Sequence, residues 1–164
     1  HSNKYFKNSS IISYLLLNPI ATGRAIIKKD LLIKNNFDIS LRIGEDIELW
    51  SRIATDDNAF HIPINSYIQV EHNKRSIRID QSITQIEHIK TLNIIKKKIV
   101  NKIEFHSYKK ALSYSYLKVG ESLIIENKKY KAFQYLIKGL FITPNYLTKR
   151  FLFQLYQCLI KDLF

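Results

Sequence analysis

Phe37-Asp38-Ile39-Ser40-Leu41-Arg42-Ile43-Gly44-Glu45-Asp46-Ile47-Glu48-Leu49-Trp50-Ser51-Arg52-Ile53-Ala54 is the stretch on which the reading of this chain turns. Asn36-Phe37-Asp38 and Arg42-Ile43-Gly44 have the composition of turns, and from Glu45 onward Ile47, Leu49, Trp50 and Ile53 recur at helical spacing. The segment therefore reads as a turn that feeds a helix, with Glu45, Asp46 and Glu48 crowded at the helix start. With Asp46 in the first turn, Trp50 lies one turn further along on the same face, while Leu49 and Ile53 form a separate apolar stripe. A carboxylate beside an aromatic ring suits a sugar, whose hydroxyls take hydrogen bonds and whose C–H faces pack on rings. The plainer alternative makes Asp46 a helix cap and Trp50 a core residue. Glu48 and Arg52, four apart, read as a surface ion pair worth roughly 0.3–0.5 kcal/mol.

Upstream, Pro19-Ile20-Ala21-Thr22-Gly23-Arg24-Ala25-Ile26-Ile27 combines small and β-branched residues and reads as a loop entering a strand, followed by one or two helical turns over 29–35. Downstream, Asp56-Asp57-Asn58 breaks the helix, and residues 59–70 alternate apolar and polar around Pro63 as one or two short strands. Residues 71–78 form a polar, basic loop. After Asp80 the period changes: Ile83, Ile86, Ile89, Leu92, Ile95 and Ile99 recur every three or four residues, and the chain reads as helices to its end. Gly120, Ala132, Leu136, Gly139 and Pro144 match the small and apolar positions of one tetratricopeptide-type helical hairpin, a single copy where an array needs about three. The expected organisation is an α/β region over 1–80 followed by an all-α region over 81–164.

Composition bounds the function. The 164 residues are 46% hydrophobic and 24% charged, enough for one domain or one with a small appendage, which excludes a disordered chain. Apolar runs such as Leu15–Leu17 fall far short of the roughly 20 residues of a spanning helix. The lone Cys158 excludes an internal disulfide framework, and the five His fall in no Cys/His zinc spacing, so a reducing, cytoplasmic setting fits. Four Gly form no phosphate-cradling loop, and there is no Gly-x-Ser-x-Gly elbow. The net charge of +12 is uneven: residues 1–81 hold 11 basic and 9 acidic side chains (+2), residues 82–164 hold 15 and 5 (+10). The opening His1-Ser2-Asn3-Lys4 lacks the order of a secretory signal, and the chain is expected to be a piece of a longer protein.

From about Asn18 to Arg78 the sequence resembles the inverting, nucleotide-sugar-dependent glycosyltransferases of family two, which have the GT-A fold. The features that carry the resemblance are the Pro19–Ile27 stretch, the Phe37-Asp38 turn, Glu45-Asp46, and Leu49-Trp50-x-Arg52, in that order. The resemblance implies that Asp46 is the catalytic base that takes a proton from the acceptor hydroxyl as it attacks the donor's anomeric carbon, with Glu45 orienting the site or the acceptor. It implies substrate-binding roles for Trp50, Arg52, Thr22 and Gly23 and for Arg75 and Arg78 near the donor diphosphate. It makes His72 a ligand of a divalent ion, Mg or Mn. The family's upstream nucleotide-binding βαβ unit is not found in residues 1–17, and no Asp-x-Asp occurs in the chain. The chain thus corresponds to the acceptor-side part of a GT-A domain plus a helical tail, and the isolated 164 residues are expected to show no transfer.

The implied partners are a nucleotide-sugar donor and a glycan or lipid-linked acceptor of surface-polysaccharide synthesis. The +10 tail and the stripe Leu147, Phe151, Leu155, Leu159 and Leu163 add an anionic membrane surface, for a protein in the cytoplasm or peripheral on the inner face of the membrane. The competing reading is a tetratricopeptide-like protein-binding module without catalysis, which predicts no dependence on Asp46. Nucleic acid is not indicated, since no recognition motif accompanies the basic charge.

Overall fold

The computed structural model describes residues 4–6, 8–54, 59–61 and 81–160. Among them helix dominates: α1 (Asn8–Leu17), α2 (Lys29–Lys34), α3 (Glu45–Ile53), α4 (Gln81–Lys96), α5 (Lys102–Ile125), α6 (Lys129–Ile142) and α7 (Thr148–Ile160). The strands β1 (Lys4–Phe6) and β2 (Ala59–His61) pair antiparallel, Lys4 with His61 and Phe6 with Ala59. This corrects the α/β expectation for the first half: among the described residues a three-residue ladder is the whole sheet, and the architecture is helical. The physical reason lies in residues 18–28. A strand in a covered sheet buries its β-branched side chains, but Ile26 is 98% exposed, and the backbone forms a 3₁₀ turn over Thr22–Arg24 and an unpaired extended stretch after it. The strand reading of residues 62–70 lies outside the described residues.

The chain divides into two units, His1–His72 with Thr91–Tyr108, and Asn73–Lys90 with Lys109–Phe164. In the first unit, Ile11, Ile12, Leu15 and Leu16 form a helical stripe on α1 that is buried, and α1 packs against α3, whose Ile47, Leu49 and Trp50 are buried in turn. Each such side chain taken from water contributes about 1.5–3 kcal/mol. Leu92 and Ile95 on the second half of α4 are fully buried in this unit. The buried Glu104 of α5 accepts from the Val100 backbone N–H, while the Asn101 side chain accepts from the Glu104 N–H, a reciprocal cap at the start of α5.

In the second unit the last turns of α5 close with Asn127 in the left-handed region (φ 58°): the Lys128 N–H donates to Leu123 O and the Asn127 N–H to Ile124 O. That is a Schellman stop, which turns the chain into α6. Gly120 and Gly139 mark close helix approaches. A Cβ on Gly120 would stand 2.5 Å from Leu136 Cδ2, and one on Gly139 would stand 2.6 Å from the Phe151 ring. The hydroxyl of the buried Ser113 donates to Gly139 O at 2.9 Å. Arg150 at the start of α7 reaches Glu121 of α5 with two bonds of 2.7 and 2.9 Å. On α7, Phe151, Leu155 and Cys158 face inward, so the apolar stripe expected for a membrane is in part core.

Candidate functional site

The acidic end of α3 is set by Gly44, whose φ of 79° lies in the left-handed region that an L side chain adopts only with strain. The turn is pinned from α4: the Thr91 hydroxyl donates to Ile43 O at 2.6 Å, and Thr91 is fully buried. Chain direction therefore changes abruptly at Gly44, and Glu45 and Asp46 occupy the first turn with no side-chain cap ahead of them. Their charge faces the positive end of the helix dipole.

Asp46 is half-buried. One carboxylate oxygen accepts the Ile47 N–H at 2.7 Å. Burial pushes the Asp46 carboxyl above its usual 3.8, outweighing the N–H groups of Ile47 and of Asp46 itself, which pull the other way. A carboxylate held in one orientation and partly stripped of water is a stronger proton acceptor than a free surface aspartate. Asp46 thus takes up first-turn N–H groups of α3, as the capping alternative expects, and is at the same time partly withdrawn from water.

The other motif residues organise the backbone around α3. Trp50 is 7% exposed, and its indole N–H donates to Ile20 O at 2.8 Å, fastening the loop before Thr22 to α3. Phe37 meets the same ring edge-on, centroids 6.3 Å apart. Trp50 therefore sits in the core and offers no open face for a sugar to stack on, a correction to that expectation. Arg52 is turned to the 35–36 turn: its guanidinium donates to Asn36 O at 2.5 Å and lies 3.5 Å from the Asn35 side-chain oxygen. Asp38 closes its own turn by accepting the Ser40 N–H and hydroxyl, a pairing led by the hydroxyl bond that lowers its pKa.

The expected surface pair of Glu48 and Arg52 is also corrected. Glu48 is only 3% exposed, and its carboxylate takes both oxygens to Arg52 Nε at 3.0 Å and one to Lys98 Nζ at 2.5 Å. The pair is part of a triad, a buried carboxylate shared by two partly exposed cations, that joins α3 to the turn after α4. The spacing of Glu48 and Arg52 signals their mutual contact, but nothing local in the sequence signals Lys98, fifty residues away.

Thr22 and Gly23 are exposed in the 3₁₀ turn, brought toward α3 by the Trp50–Ile20 bond, and Glu45 is partly exposed beside Asp46. His72, Arg75 and Arg78 lie outside the described residues. Among the described residues no group of three or more His, Cys, Asp or Glu stands ready to hold a metal ion. No helix there is long and apolar enough to cross a membrane. No family model, curated protein or solved structure matches this chain.

Proposed function

We propose that the chain supplies the acceptor-activating part of an inverting sugar transferase, with Asp46 as general base, working with a nucleotide-binding half that holds the donor. The single observation that supports this reading is the half-buried Asp46 carboxylate at the partly exposed start of α3, fixed by the Ile47 N–H and raised in basicity by loss of water. In the reaction the acceptor hydroxyl gives its proton to the Asp46 carboxylate as its own oxygen forms the new bond to the anomeric carbon. The bond to the nucleotide diphosphate breaks with its electron pair, and one displacement inverts the configuration. Glu45 receives or orients the acceptor alongside. Trp50 and Arg52 act one step back, by holding the 18–24 and 35–38 turns against α3. His72, the residue that would hold a divalent ion, lies outside the described residues, and the described residues contribute proton transfer and positioning.

The test is the pH dependence of transfer from labelled nucleotide sugars by the protein joined to its nucleotide-binding half. The reading expects kcat/KM to rise from the acid side with unit slope through a pKa above 3.8, and the product to be inverted. A retained configuration, or activity independent of pH across that range, overturns it.

A further inference from the structure

α7 is apolar on two faces, and the structure uses only one. Phe151, Leu155 and Cys158 are buried against the unit to which α7 belongs, yet Leu152, Phe153, Tyr156 and Leu159 are 54–62% exposed on the adjoining face. At 100° per residue, 152, 156 and 159 fall within one narrow arc, with Lys149 and Phe153 along its edge. A contiguous apolar patch rimmed by charge marks an interaction site rather than ordinary surface.

What covers it is constrained by charge. α6 and α7 together carry Lys129, Lys131, Lys138 and Lys149, besides Arg150, whose charge is met by Glu121 of α5, and no acidic residue over 129–142 and 148–160. Lys131, Lys138 and Lys149 are exposed. A second copy brings the same net +12 to the contact, so like charges oppose self-association. An anionic surface meets the patch with complementary charge and an apolar interior. α7, about 20 Å long at 1.5 Å per residue, is too short to span a bilayer but suited to lie in its interface, with leucines and Phe153 inserted and the phenol of Tyr156 at the headgroups.

We propose that the outward face of α7, together with the exposed lysines of α6 and α7, docks on an anionic lipid bilayer. This is independent of the role of Asp46 and stands or falls without it. The experiment is co-sedimentation of the full chain with vesicles of phosphatidylcholine plus phosphatidylglycerol and with vesicles of phosphatidylcholine alone, across a salt series. Expected are binding to the anionic vesicles, weakening as salt shortens the Debye length, and at least a tenfold loss for Leu152→Ser/Phe153→Ser/Leu159→Ser with the far-ultraviolet dichroism unchanged. Lys131→Gln/Lys138→Gln/Lys149→Gln, which leaves the apolar face intact, is expected to lose on the order of 100-fold, about fivefold per lysine. Equal binding to neutral vesicles, no binding to either, or wild-type binding by the lysine variant overturns the proposal. So does a concentration-dependent dimer that the serine variant abolishes, which would assign the face to a second copy.

Discussion

Replacing Gly44 with alanine strikes the turn that aims α3. The residue sits at φ 79°, where an L side chain costs about 1–2 kcal/mol. The new methyl would stand 2.9 Å from Thr91 Cγ2, 3.0 Å from its Oγ1 and 3.2 Å from its Cβ, and Thr91 has nowhere to retreat, being fully buried with its hydroxyl bonded to Ile43 O. Displacing that hydroxyl adds roughly 1 kcal/mol for the lost hydrogen bond. The expected loss is therefore about 2–3 kcal/mol, read as a shift of the urea midpoint toward lower denaturant by about 1 M or more at an unchanged slope. Thr91→Ala removes the two nearest atoms, Cγ2 and Oγ1, together with the bond, so the double variant is expected to fall short of the sum of the single losses by about 1 kcal/mol. A Gly44→Ala protein within about 0.5 kcal/mol of wild type would refute the geometry assigned to the start of α3.

The Glu48–Arg52–Lys98 triad gives a second expectation: Arg52→Leu/Lys98→Leu strands a carboxylate that is 3% exposed and costs about 3–5 kcal/mol, whereas adding Glu48→Leu recovers most of it; denaturation of the three proteins decides. His88, largely buried, holds Ser115 Oγ at 3.0 Å across α4 and α5, and burial lowers its pKa below 6.5. The unfolded chain then binds the extra proton first, so stability is full above pH 6.5 and falls as pH drops from there toward the lowered value; His88→Gln is expected to flatten that acid limb, and an unchanged limb would place the titration elsewhere. Asp46 has the opposite sense: its raised pKa means that ionisation is costlier in the fold, so the wild type loses stability relative to Asp46→Asn as pH rises above 3.8. A thermal-melt series showing Asp46→Asn to be the less stable protein near neutral pH would contradict the burial argument.

How far the sequence carried depends on whether the relevant contact was local. The α3 helix, the α4 stripe around Leu92 and Ile95, and the small residues at Gly120, Ala132 and Gly139 are written in periodicities of three and four, and the helices stand where those periods run. α1 has the same kind of signal in Ile11, Ile12, Leu15 and Leu16, but it covers barely two turns. Ile26 and Ile27 misled in the other direction. β-branched residues fit a pleated, half-buried surface, but without a partner strand among the described residues they have no such surface, and Ile26 stays in water. Of the site, the Asp46 position at the helix start was legible from spacing. Trp50 as a core residue was one of the two readings its spacing allowed, and the structure has it buried; its bond to Ile20 O and the insertion of Lys98 into the Glu48–Arg52 pair were not legible, because they depend on chain segments 30 and 50 residues away.

The central claim is that one oxygen of Asp46 takes the acceptor's proton. Its most direct test is sugar transfer by wild type and Asp46→Asn, each joined to the nucleotide-binding half and each shown to be folded; the asparagine keeps the oxygen that accepts the Ile47 N–H but is no base. A loss of roughly 10²- to 10⁴-fold in kcat from a protein at least as stable as wild type is the predicted result. Transfer at the wild-type rate would contradict the account.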